Sequence, residues 1–94
     1  GYLQVEDGPD QGKTFRISAT PVIVGRRQDC NIVLNDTSIS RNHARLDLYG
    51  GRYIITDLGS TNGIIVNDVI VKTKTLEPGD VILLGTTVCT FKVE

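Results

Sequence analysis

The chain is expected to fold as an all-β sandwich: two packed, mostly antiparallel sheets with no major helix. Three observations predict this. Apolar residues recur with period two, not with the helical period. Turn-forming residues punctuate the chain between these runs. The runs themselves return roughly every 8–12 residues, the spacing of a sandwich or barrel rather than of alternating strands and helices. The elements follow in order. Thr14-Phe15-Arg16-Ile17 alternates outward and inward after the turn signal Gly8-Pro9-Asp10. Val22-Ile23-Val24 and Ile32-Val33-Leu34 are β-branched runs suited to strands covered on both faces. Ala44-Arg45-Leu46-Asp47-Leu48 alternates cleanly, then breaks at Tyr49-Gly50-Gly51. A strand ending near Asp57 and another from Ile64 to Val66 lead to the turn Asn67-Asp68. After Glu77-Pro78-Gly79-Asp80 come Val81-Ile82-Leu83-Leu84 and the alternating Cys89-Thr90-Phe91-Lys92-Val93. The apolar layer between the sheets is expected to include Leu3, Phe15, Val24, Leu46, Ile55, Val66, Leu83 and Phe91.

Bulk properties narrow the function. The 94 residues suit one domain with a modest core, and nothing resembles a linker, repeat or low-complexity tract. Hydrophobic residues make up 39% and the net charge is −1, which suggests neither disorder nor a general affinity for nucleic acid. The longest apolar runs fall far short of the about 20 residues that span a bilayer, and no signal peptide is visible. We therefore expect no membrane partner, and a cytoplasmic location (nuclear if the source is eukaryotic). The chain contains no methionine, so it is expected to be a module, residues 1–94, taken from a longer protein. Cys30 and Cys89 lie far apart in the sequence and are expected to be buried free thiols.

Polar residues gather in three clusters at strand ends: Gly25-Arg26, Ser40-Arg41-Asn42-His43, and Gly59-Ser60-Thr61-Asn62-Gly63. Loops on a rigid β scaffold are where binding residues collect. The clusters offer guanidinium groups, hydroxyls and an amide but no paired carboxylates and no second histidine, so they suit anion binding better than turnover. No metal site and no cofactor are expected.

In the order Gly25-Arg26, Ser40-Arg41-Asn42-His43, Asp57-Leu58-Gly59-Ser60-Thr61-Asn62-Gly63 with Val66-Asn67, and Leu76-x-x-Gly79-Asp80-x-Ile82-x-Leu84-Gly85, the chain resembles the forkhead-associated (FHA) domain over nearly its whole length. The resemblance implies an FHA/SMAD-like sandwich of about eleven strands. It also implies recognition of phosphothreonine, made by a serine/threonine kinase in a partner protein, through loops at one end. Residue by residue, Arg26 resembles the arginine that meets the phosphate, and its planar fork suits that role. Ser40 resembles the serine that donates to a phosphate oxygen, Arg41 adds a second guanidinium, and Thr61 lines the phosphothreonine site. Asn62 resembles the asparagine that holds the ligand backbone. His43 is expected to support Ser40 structurally, with Gly25, Gly59, Ser60 and Gly63 shaping the loops. Ser38, Thr86 and Thr87 are expected near residues flanking the phosphothreonine. Arg27 and Arg45 join Arg26 and Arg41 in a positive region, but are expected to be solvated surface charges.

Other readings are weaker. A Ser40, His43, Asp57 triad lacks the serine elbow and the helix that follows it. Gly8-Pro9-Asp10-Gln11-Gly12-Lys13-Thr14 is one residue short of a phosphate-binding P-loop and runs into a strand, so a hairpin turn is expected. Asn35-Asp36-Thr37 matches a glycosylation sequon, without meaning in a cytosolic chain. The alternative to a phosphothreonine reader is an FHA-like scaffold that binds a partner, or its own parent chain, through a sheet face without phosphate. The isolated domain is expected to be monomeric.

Overall fold

The computed structural model describes residues 1–94 as eleven strands. They are β1 (Tyr2–Asp7), β2 (Thr14–Arg16), β3 (Val22–Gly25), β4 (Ile32–Val33), β5 (Ala44–Tyr49), β6 (Arg52–Asp57), β7 (Ile64–Val66), β8 (Val69–Val71), β9 (Thr73–Thr75), β10 (Val81–Leu84) and β11 (Thr87–Lys92). One sheet has the order β2-β1-β11-β10-β7-β8 and the other β4-β3-β5-β6-β9. Every pairing is antiparallel except β3 with β4.

Local chemistry explains the tight connections. Asn67 and Asp68 both take positive φ, 51° and 68°, and close β7 onto β8 as a two-residue turn matched to strand twist. The residues that resembled a P-loop close the β1–β2 hairpin, where the Gly12 amide donates to the Val5 carbonyl.

Eighteen apolar side chains form one core between the sheets. Leu3, Val24, Leu46, Ile55, Val66 and Phe91 lie in it as expected. Phe15 only packs against its edge, because β2 is an edge strand. Leu83 was misplaced by one residue. Ile82 and Leu84 are fully buried and Leu83 faces outward, because β10 pairs with β11 through Ile82–Cys89 and Leu83–Val88, and Cys89 points inward. A run of four apolar residues carries no alternation from which to read that phase. Ile23 and Val33 are likewise half-exposed, so the β3 and β4 runs are covered on one face rather than two. Cys89 is buried, whereas Cys30 is half-buried in the β3–β4 loop, and both are free thiols.

The topology positions the loops. β3 ends where β5 begins, at the Val24–Ala44 pair, and β6 ends beside that point at Ala44–Asp57. In the other sheet β7 begins where β10 ends, at Ile64–Leu84. The β3–β4, β4–β5, β6–β7 and β10–β11 connections therefore share one end of the sandwich. The inward phase of β10 predicts a contrast. Ile82→Ala should lower unfolding free energy by about 2–5 kcal/mol, and Leu83→Ala by less than about 1.5 kcal/mol, in urea titrations. Equal costs would contradict the register.

Candidate functional site

His43 fastens the rim. Its side chain is fully buried at the start of β5. The Ser40 amide donates to Nδ1 at 3.0 Å, and Nε2 lies 2.7 Å from the Gly63 carbonyl oxygen. An amide can only donate and a carbonyl can only accept, so these partners select the Nε2–H tautomer. The backbone of His43 adds two bonds, from its amide to the Val24 carbonyl and to its carbonyl from the Leu58 amide. One residue thus connects β3, the loop holding Ser40 and the loop crossing between the sheets. Both ring nitrogens are occupied, which leaves none to take a proton from the Ser40 hydroxyl. Asp57 is engaged elsewhere, accepting from the Ser60 amide and hydroxyl. The imagined triad does not form.

The expected binding residues converge around this anchor. The Arg26 amide donates to the Ser40 carbonyl at 3.2 Å, and Arg26 Nε donates to the Ile39 carbonyl at 3.0 Å. These bonds fix the guanidinium stem and leave both terminal nitrogens of this exposed residue without a protein partner. Gly25 permits the approach: a Cβ there would collide with the Arg41 carbonyl oxygen. Ser40 Oγ accepts from the Thr61 amide at 3.0 Å, which leaves its own proton to donate outward. Asn62 Nδ2 donates to the Ser38 carbonyl at 2.7 Å, leaving its second N–H and its carbonyl oxygen open. The Ser60 hydroxyl accepts from the Gly63 amide and holds the loop between two glycines, Gly59 and Gly63, both at positive φ.

Charge separates cleanly. Arg27 pairs with Asp29 at 3.0 Å and Arg45 with Asp47 at 2.7 Å. Arg26 and Arg41 are exposed and make no ion pair. The rim therefore presents two uncompensated guanidinium groups next to outward hydroxyl and amide donors, on a domain whose net charge is −1. It is built to hold a compact anion with several acceptor oxygens.

The comparisons with known proteins agree with this geometry. Residues 4–94 match the Yop-YscD family model, described as the inner membrane component of T3SS, cytoplasmic domain. The FHA domain of FhaA, solved in complex with the intracellular domain of another protein, superposes with a TM-score of 0.87 at 38% identity, covering 95% of this chain and 96% of that one. The chain belongs to the FHA family, as a domain of this Yop-YscD type. A second structure, from a study of phosphothreonine-dependent FHA domain interactions, gives a TM-score of 0.91 at 36% identity, covering 99% and 95% of the two chains. The glycogen accumulation regulator GarA of Mycolicibacterium smegmatis is 37% identical over 83 residues, which is 88% of this chain and 52% of GarA. The chain thus spans about half of that curated relative, and only 15% of full-length FhaA from Mycobacterium tuberculosis, to which it is 41% identical.

One part of this FHA rim escaped the sequence reading. Asp36, 2% exposed, holds the β4–β5 loop to the β10–β11 turn. Its Oδ1 accepts from the Ser38 amide, and its Oδ2 accepts from the Thr86 amide, the Thr86 hydroxyl and the Thr87 hydroxyl at 2.7–2.9 Å. Thr87 was expected near the ligand. It is fully buried and its hydroxyl is turned inward to Asp36, so it supports the turn and cannot touch a bound segment. Thr86 is exposed but its hydroxyl serves the same carboxylate, whereas the Ser38 hydroxyl is left open at the rim. The short-range half of this arrangement, Asp36 bonding two residues ahead, is a turn preference of aspartate and was available in the sequence. The link to residue 86 was not.

Burial by itself would raise the Asp36 pKa, but the threonine and serine donors outweigh it and bring it from 3.8 to about 2. The folded value lies below the unfolded one, so this stability is complete above about pH 4 and is lost as pH falls through 2. Asp36→Asn should cost about 2 kcal/mol at pH 7 in urea unfolding and flatten the acid limb between pH 4 and 2. An unchanged acid limb would refute the assignment.

Proposed function

We propose that this FHA domain binds phosphothreonine-bearing segments of partner proteins and recruits them after a serine/threonine kinase has acted. The observation that carries the reading is the pair of unneutralised guanidiniums, Arg26 and Arg41, beside a Ser40 hydroxyl that keeps its proton for an acceptor. A phosphothreonine supplies a charge of about −1.5 to −2 and three acceptor oxygens. In this reading Arg26, Arg41, Ser40 and Thr61 take the phosphate, Asn62 takes the ligand backbone, and Ser38 and Thr86 lie toward a flanking residue. Charge-assisted bonds contribute roughly 1.5–3 kcal/mol each, and three or four of them give micromolar binding after association entropy is subtracted.

The domain acts here as a binding module and not as a catalyst. The partners of His43 and Asp57 support this, since neither side chain is placed to activate Ser40. The regulatory relative GarA supports it as well. The reading assigns the domain to a longer signalling protein in the cytoplasm, where kinases draw on ATP and thiols such as those of Cys30 and Cys89 stay reduced.

In calorimetric titration, a phosphothreonine peptide should bind with micromolar affinity and its unphosphorylated twin should not. Arg26→Ala should abolish the difference. Equal binding of both peptides would favour a scaffold indifferent to phosphate. Affinity should also weaken as pH drops below about 6, where the phosphate loses its second charge. A flat profile from pH 7.5 to 5 would contradict phosphate recognition.

A further inference from the structure

The outward phase of Leu83 has a counterpart on three neighbouring strands. Ile70 pairs with Ile65, Ile65 with Leu83, and Leu83 with Val88, across β8, β7, β10 and β11. Residues directly opposed in a sheet share a face. Four branched apolar side chains therefore line up on the outside of the six-stranded sheet, away from the core. Ile65, Leu83 and Val88 are half-exposed and Ile70 is 71% exposed. Val81, also exposed, joins them at a hollow of about 340 Å³ that Ile65, Leu83 and Val88 line with the turn residues Asn67 and Asp68. Strand spacing makes the row about 14 Å long. A contiguous exposed apolar row of this kind marks a contact face.

The charges at the two ends of the row point to its occupant. Past Val88 the row meets β1 at a bulge, where Asp7 opposes Val88 beside Glu6. Both acids are exposed and neither forms an ion pair. At the other end, two residues beyond Ile70, stands Lys72, exposed and equally unpaired. A row that is acidic at one end and basic at the other complements itself when a second copy is turned end for end. A two-fold axis parallel to the strands, between Ile65 and Leu83, does this. It seats Ile65 on Leu83 and Ile70 on Val88, and brings Lys72 of each copy toward Glu6 and Asp7 of the other. An axis along the row would set Asp7 against Asp7. We infer that the outer face of the six-stranded sheet binds a second copy of this chain about the strand-parallel two-fold. That axis keeps both anion-binding rims at the same end, so the pair presents two sites side by side. Stable interfaces engage about 20–30 residues a side, more than this face supplies, so the pair is reversible with a dissociation constant on the order of 0.1 mM.

Sedimentation equilibrium of the chain, with no phosphopeptide present, tests this. The weight-average mass should rise from near that of a monomer at about 10 μM toward that of a dimer at about 1 mM. Leu83→Asp should keep the chain monomeric across that range, with cooperative urea unfolding as the check that it folds. Two changes at exposed sites report on the axis. Lys72→Glu and Glu6→Lys should each weaken association roughly three- to tenfold, and the double variant should return to within twofold of the unaltered chain. A mass that stays monomeric at 1 mM would overturn the inference. So would a dimer that survives Leu83→Asp in a folded chain, or charge changes whose combination restores nothing.

Discussion

A buried imidazole is the constraint on which the rim depends. The loops that hold Ser40 and Gly63 leave different strands, and the second crosses from one sheet to the other. Holding them together costs conformational entropy, which bonds between the loops must offset. His43 does so with one acceptor and one donor on a rigid ring, and its backbone adds a bond to β3. Ser40 is then near enough to accept from the Thr61 amide, and Asn62 near enough to reach the Ser38 carbonyl. The ligand-facing groups are aligned in advance, so binding need not order them. The same bonds consume the histidine's capacity for proton transfer.

Asp36 plays the matching part on the opposite flank. It is a buried carboxylate without a cationic partner, compensated entirely by amide and hydroxyl donors. Such a site leaves the positive charge of the rim unspent. Had Arg26 or Arg41 been the counter-ion, the rim would have lost an exposed, unpaired positive charge. Arg27 and Arg45, paired with Asp29 and Asp47, show the opposite fate for the same residue type. The domain distinguishes its structural from its available cations by where it places aspartates.

Much of this was legible along the chain. The two-sheet architecture followed from alternation and turn residues, because a strand's two faces impose period two on the sequence directly. Arg27 and Arg45 were expected to be solvated surface charges; in the structure each pairs with an aspartate two residues on, Asp29 and Asp47. The phase of Val81-Ile82-Leu83-Leu84 was not readable. A uniformly apolar run fits either face, and only pairing with β11 chose one. The role of Thr87 was missed for a related reason: a hydroxyl beside a turn looks exposed until a carboxylate from residue 36 arrives to bury it. Cys30 was expected to be buried, but Asp29 and Asn31 flank it in the sequence, and in space it meets the Arg41 carbonyl and the Asn42 side chain.

The amino-acid sequence alone determined the strand-and-turn pattern and the identity of the groups able to grip an anion, because both reside in single residues and their near neighbours. The tertiary structure decided which of those groups meet, and which remain unpaired at the rim. It alone aligned Ile70, Ile65, Leu83 and Val88 in one row across four strands. Hydrogen bonds between residues 20 to 50 positions apart depend on strand order and register, and these are set by the collective packing of the core rather than by any local segment.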